Sequence, residues 1–325
     1  MRKSFPIKVS HIALLAVAML IAVGNVLPDA EGQTTSTVKT QTFAAGDSPE
    51  AILFDGANIW VASQFSNTVR KLRASDGASL GTYPVGKGPV ALASDGVNIW
   101  VANYQSDTVT RLTSSGANAG TYPVGHGPGG LLFDGANIWV ANRNSNSVMK
   151  LRASDGANLG TFAVGKRPIS LAHDGYNIWV TNNHSDTVTK LRASDGATVG
   201  VYGVGDAPFG IAFDGESIWV ANFFSRSVTR LQAATGKTLS TINVGDGPAA
   251  VLVAASHVWV ANNGSNTVSK IRASDGAVVG TFSVGASPYG IAFDGSSIWV
   301  ASSGSNGVSK VSRTSISGDS TTTVP

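Results

Sequence analysis

Phe213-Asp-Gly-Glu-Ser-Ile-Trp-Val-Ala-Asn222 returns in closely related form at six other places in this chain. Its tryptophan belongs to a series that holds all seven in the sequence: Trp60, Trp100, Trp139, Trp179, Trp219, Trp259 and Trp299. The spacing is 40 residues except for one step of 39. A period of this size leaves two main architectures, paired helices in a solenoid or four-stranded propeller blades. Glycines, Asp-Gly pairs and β-branched residues recur about every eight to twelve positions, and no stretch of a dozen residues keeps helical spacing free of glycine. The repeat therefore reads as strands, and the fold class as all-β.

Outward from the tryptophan, each unit divides into four strands. In the fifth unit, strand a is Gly210–Asp214, b is Ile218–Ala221, c is Ser227–Leu231 and d is Thr241–Val244. The a–b link is Asp-Gly with one or two more residues, and the c–d link is usually Ala-Ser-Asp-Gly, both suited to tight hairpins. Pro84 and Pro123 fall within strand d, and proline cannot donate to a ladder, so d is expected at the outer edge and a at the axis. Thr113-Ser-Ser-Gly116 shortens one c–d link by a residue and accounts for the spacing of 39. The last unit has no good d strand, whereas Thr42-Phe-Ala-Ala-Gly46 matches Thr161-Phe-Ala-Val-Gly165 and precedes the first a strand. The N-terminal strand is thus expected to complete the last blade, closing a ring of seven blades as three strands plus one. Closure removes exposed sheet faces and edges.

The chain has 325 residues with 38 glycines, 13% charged and 42% hydrophobic residues, and no cysteine. The apolar fraction is too high for disorder. The lack of cysteine excludes disulfides, thiolate metal sites and a cysteine nucleophile. Formal net charge is +3, but Arg2, Lys3 and Lys8 precede the uncharged apolar run Ile12–Val23, and Ala22-Val-Gly24 offers small residues for cleavage. Residues 1–24 therefore read as an export signal, with cleavage as late as residue 30 as the second choice. Three of the 23 basic residues lie in that segment, so 20 basic residues face 20 acidic ones in the remainder. Nucleic acid is not an expected partner, nor is a membrane after cleavage. The expected organisation is signal 1–24, linker 25–39, propeller 40–312 and a disordered tail 313–325, in an exported, periplasmic or extracellular monomer.

Trp179-Val-Thr-Asn182 and the Trp-Val-Ala-Asn segments resemble the YVTN repeat of exported bacterial propellers, which are similar to the wider NHL and YncE-like group. The resemblance spans about residues 40–312 and implies a seven-bladed propeller. It does not imply an activity, because propellers host binding modules and enzymes alike. More distantly, the chain resembles streptogramin (virginiamycin B) lyases, propellers that eliminate across an ester with a histidine base and a magnesium site containing glutamate.

In an up-and-down blade the a–b and c–d turns lie on one rim, the d–a and b–c loops on the other. The first rim is monotonous here and the second varies, as a recognition surface on a repeated scaffold does. The varying loops carry Lys87, Tyr104, His126, Arg143, Lys166, Arg167 and His184 in blades two to four, with Asp206, Phe209, Phe223, Phe224 and Asp246 in blades five and six. They predict a basic half and an acidic, aromatic half, binding a small molecule with an anionic group and an apolar or sugar-like part, or else a protein ligand. Just after each blade's proline, at the axis mouth, come Glu50, Val90, Gly129, Ile169, Phe209, Ala249 and Tyr289.

The tryptophans are expected to pack between blades, and the Asn of Trp-Val-Ala-Asn to bond its own loop backbone. His173 reads as packed within strand a, and His257 as a residue of a turn. No metal site is expected from single aspartates on separate blades, since calcium needs several convergent oxygens. The lyase mechanism needs a base and a cation at the ester. His126 and His184 are the available rim bases, but neither has a paired glutamate, and Glu216 lies in the opposite rim. A lactonase-like calcium site would have Glu50 as its one acid at the axis mouth. The expectation is a non-catalytic binding or interaction scaffold without catalytic residues or cofactor, with a lyase-like or lactonase-like enzyme as the alternative.

Overall fold

A computed structural model describes residues 40–312, which form seven four-stranded antiparallel sheets. Blade 5 is Pro208–Phe213, Ser217–Asn222, Ser227–Gln232 and Thr238–Asn243, in that order from axis to edge, and the other blades repeat it. The d strand starts three residues earlier than expected, because Leu231 already pairs with Thr238 past a bulge. Val244 lies beyond it, its amide bound to the Arg226 carbonyl (3.0 Å). Strand b is buried throughout, whereas d alternates between exposed and half-buried residues, as an outer edge does. Pro84 and Pro123 are the last residues of their d strands.

The seventh blade is assembled from both ends of the described chain. Pro288–Phe293, Ile298–Ser302 and Gly307–Val311 are joined by Thr40–Ala44, with Thr40 opposite Val311 and Ala44 opposite Gly307. Phe43 stacks on Trp299 (ring centroids 5.5 Å apart) in the place that Tyr83, Tyr122, Phe162, Tyr202 and Phe282 fill on the tryptophans of other blades. Blade 5 uses Ile242 there, packed in the cluster of Trp219. The same d-strand ring also meets the c–d turn of the next blade. Gly77 approaches Phe43 so closely that a Cβ there would lie 2.1 Å from the ring, and its φ is +74°. That turn requires glycine twice over, for conformation and for space.

The tryptophans hold blade to blade. Trp60 is fully buried and clusters with Ile99, Val101 and Leu112 of the next blade. Burying an aromatic of this size contributes roughly 4 kcal/mol, against at most about 1 kcal/mol for an exposed pair such as Arg73–Asp76 on the c–d turn. Each indole N–H needs an acceptor once buried. The a–b turn aspartate supplies it: Asp55 Oδ2 lies 2.6 Å from Trp60 Nε1, and Asp95, Asp134, Asp174, Asp214 and Asp294 repeat the bond. Blade 6 has Ala254 at that position, ahead of Trp259.

A cation lies against every indole. Lys71, Arg111, Lys150, Lys190, Arg230, Lys270 and Lys310 sit opposite the tryptophans in register, 4.8–5.8 Å from the rings. Several reach across to the next blade's c–d turn, as Lys150 Nζ does to the Ala193 carbonyl (2.7 Å). Lys310 completes the circle by donating to the Ala74 carbonyl of blade 1 (2.7 Å).

The expected Asx role of the Trp-Val-Ala-Asn asparagine is corrected. Asn182 is fully buried and its Nδ2 donates to Thr187 Oγ1 (3.2 Å) and Thr189 Oγ1 (2.8 Å) of strand c, and Asn103, Asn222 and Asn262 do likewise. The amide nitrogen is paired across the ladder, since its own loop lies beyond the strand end, while Oδ1 of Asn103, Asn182 and Asn262 has no partner among the described residues. His257 is the first residue of strand b in blade 6 (His257–Asn262), the turn proper being Ala255 and Ser256 at positive φ. His173 ends strand a half-buried. The expected signal, the linker and the tail lie outside the described residues, within which no helix is long and apolar enough to cross a membrane.

Candidate functional site

The a strands surround the axis, and their first residues open a cup of about 370 Å³ on the varying rim. Glu50, Val90, Gly129, Ile169, Phe209, Ala249 and Tyr289, the seven post-proline positions, all line it. Gln64 and Arg143 join them from the b–c loops. Arg143 fits because blade 3 has glycine at the mouth: a Cβ on Gly129 would lie 2.3 Å from Arg143 Cδ. The guanidinium stacks over Tyr104 (5.3 Å), and its Nε is buried without a hydrogen-bond partner among the described residues.

The charges of the cup act on one another. Burial pushes the Glu50 carboxyl above the usual glutamate range, against a hydrogen bond from Ser48 and the attraction of Arg143. Burial and then Glu50 raise the Tyr289 phenol, partly opposed by Arg143 and Arg167. Burial and then Arg167 lower the Arg143 guanidinium, opposed by Tyr104, Tyr289 and Glu50. It remains protonated at neutral pH. Across the cup, Phe209 packs on Tyr289 (5.6 Å) and on Phe223 (6.0 Å), and Phe223 on Phe224 (5.4 Å). Phe224 is exposed, while Phe209 and Phe223 are half-buried.

The rim loops are pinned, so these side chains stand on fixed backbone. Ser185 Oγ accepts from the Lys166 amide (2.8 Å), and Asn146 Oδ1 from the Arg167 amide (2.9 Å). Equivalent bonds recur in other blades, for instance Ser225 with the Asp206 amide and Asp186 with the Ala207 amide. This is the work of the Ser-Asp/Asn-Thr/Ser segment that opens strand c.

Of the expected basic half, Tyr104, Arg143, Lys166, Arg167 and His184 line one shallow pocket between blades 3 and 4. Lys87 and His126 stand outside it. His126 Nδ1 is 2.8 Å from Asp107 Oδ2, and Lys87 is exposed on the preceding turn. The acidic half is weaker than expected, because Arg226 reaches Asp246 (3.1 Å). Tyr289 is a cup residue that the loop reading placed at the mouth without a role, and Glu50 one to which it gave only the acid of the lactonase-like alternative. Their signal was the alternation of small and large residues after successive prolines.

The family model for the virginiamycin B lyase family matches residues 36–311. This chain belongs to that family. The lyase resemblance is thus the one the family match supports, and not specifically the YncE-like one. Among solved structures, the virginiamycin B lyase of Staphylococcus aureus is 20% identical, covering 85% of this chain and 99% of its own, with a TM-score of 0.74. A streptogramin B lyase is 21% identical over 84% of this chain and 97% of its own, with a TM-score of 0.73. Hydrazine synthase of Kuenenia stuttgartiensis is as similar in fold, at 18% identity over 87% of this chain and 99% of its own, with a TM-score of 0.73. At these identities the likeness shows the propeller and not the chemistry. No curated protein matches the chain significantly.

A family member with a magnesium-assisted site would need convergent donors. Among the described residues no three His, Asp or Glu side chains are grouped to hold a metal ion, and the cup has one carboxylate, Glu50, and no histidine. The residues present do not fit such a site.

Proposed function

We propose that this member of the virginiamycin B lyase family is an exported binding propeller that takes a small organic molecule into the axial cup. An apolar or sugar-like ring rests against Phe209 and Tyr289, and a carboxylate or other acceptor meets Arg143. The observation that carries this is Arg143 itself, folded over Gly129 into a cup that Phe209 and Tyr289 also line, with its Nε buried and unpartnered among the described residues. A buried guanidinium donor without an acceptor is costly, and a ligand oxygen relieves it. The cup's volume falls in the range of small-molecule sites. Titration calorimetry with arylacetates and with aromatic glycosides tests it. Binding that is lost in Arg143→Ala supports it, and unchanged binding in that variant overturns it.

A second reading keeps the elimination chemistry of the family without its metal. The raised pKa of Glu50 suits a general base for a Cα proton, the C–O bond breaking as the leaving carboxylate turns to Arg143. A catalytically inactive histidine-to-alanine variant of the Staphylococcus aureus lyase is known with quinupristin. Incubation of this protein with quinupristin, followed by chromatography for a ring-opened isomer, separates the readings. Product formation that is abolished in Glu50→Gln favours the enzyme, and intact quinupristin favours the binding propeller.

A further inference from the structure

We propose that the pocket between blades 3 and 4 is a phosphate site, taking a phosphate group either free or as a monoester of a small molecule. It is about 450 Å³ and shares only Arg143 with the axial cup, so it is tested whether or not the cup binds anything. Lys166 and Arg167 come from the d–a loop, His184 from the b–c loop of the same blade, and Arg143 and Asn144 from the blade before. Three permanent cations therefore face one concavity, and no carboxylate lines it. Asp186, two residues beyond His184, is turned away, its Oδ1 bound to the Ala207 amide (2.9 Å).

Arg167 is held for this place. Its Nη1 lies 2.9 Å from His184 Nε2, which fixes the guanidinium plane and leaves further N–H groups toward the pocket. A guanidinium can only donate, so His184 Nε2 is the acceptor of this bond. The backbone at Arg167 has φ +56°, a conformation shared by Gly88, Gly127 and Gly247 and by Ser48, Ala207 and Ser287 at the equivalent positions, so this turn accepts glycine as well as larger residues. Arg167 also lowers the Arg143 guanidinium, a repulsion that a dianion cancels. Two guanidiniums and an ammonium suit a tetrahedral oxyanion with several acceptor oxygens better than a single carboxylate.

The experiment is calorimetric titration of the whole chain with inorganic phosphate, and separately with phenyl phosphate, against sodium chloride of equal ionic strength. Arg167→Gly together with Lys166→Ala is the variant, glycine being the residue this turn already accepts. The expected result is saturable binding of at least one probe that weakens by about tenfold or more in the variant, with the thermal midpoint unchanged or raised. Absence of saturable binding in the unaltered protein, or equal binding in a folded variant, overturns the site. Binding of phenyl phosphate alone identifies the monoester as the ligand class. Equal binding of the two probes identifies the phosphate group by itself.

Discussion

Phe43 stacks on Trp299 across 256 positions of sequence, at 5.5 Å between ring centroids. The pair is the aromatic latch of the ring: every other blade that has such a pair draws it from the b and d strands of one repeat. Phe43→Ala removes the d-strand ring of the last blade and the surface against which Gly77 packs. The expected loss is about 2–4 kcal/mol, read from denaturant midpoints. Phe43→Leu is expected to recover part of it. A loss below that of an exposed d-strand residue such as Leu159→Ala would show that the ring closes without this contact.

The indole–aspartate bonds set the acid limit of the fold. Burial raises Asp55, Asp95, Asp134, Asp174 and Asp294, but the tryptophan N–H and local amide hydrogen bonds outweigh it, leaving each below the ordinary aspartate value. Groups depressed in the folded state contribute stability above their unfolded pKa and lose it as pH falls through the folded one. Stability is therefore expected to be flat down to about pH 4 and to fall steeply below it. Asp134→Ala should remove about 1–3 kcal/mol at neutral pH and flatten the acid limb, both visible in melts from pH 2 to 7.

Glu50 works in the opposite direction. Its carboxyl is raised, chiefly by burial, so ionisation disfavours the fold above the unfolded glutamate pKa. Glu50→Gln is expected to raise the melting temperature at pH 7, with the difference closing as pH falls below 4. A variant less stable at neutral pH would show that the Ser48 hydrogen bond and Arg143 outweigh burial.

Gly129→Ala addresses the cup without touching a polar group. The added methyl would sit 2.3 Å from Arg143 Cδ, so the guanidinium must swing outward. Binding of any cup ligand is expected to fall as far as in Arg143→Ala, while the melting temperature stays within about 2 °C. Calorimetry and a melt on the same preparation check both.

Blade 3 differs from its neighbours at Met149, which stands where strand c elsewhere offers Thr110, Thr189, Thr229 or Ser269 to the buried asparagine. Asn142 accordingly has neither polar atom of its side chain bonded among the described residues. Asn182→Ala is expected to cost about 1–2 kcal/mol more than Asn142→Ala, measured by chemical denaturation.

The blades, their number and the closing strand were legible because the repeat displays them: turn glycines punctuate it, and Thr42–Gly46 is a displaced copy of a known segment. The asparagine was misread because its partners lie five and seven residues ahead, across a hairpin, although a hydroxyl recurs there in almost every unit. The cup was half legible. Its seven mouth positions follow from the prolines, but the inward fold of Arg143 depends on the void at Gly129, two loops combined. The basic rim was over-read, since Lys87 and His126 share the sign of Lys166 and Arg167 without sharing their place, and Asp107 engages His126.

The lysines and arginines that cross from one indole to the next blade's turn act at the face opposite the cup, while the recognition loops are fixed by bonds to backbone and to the Ser-Asp/Asn segments. Natural variation, or a designed library, can therefore rewrite Gln64, Tyr104, Arg143 and Phe223 one by one while the wheel beneath keeps its shape. Such a chassis explains how relatives with the same outline come to serve unrelated chemistries.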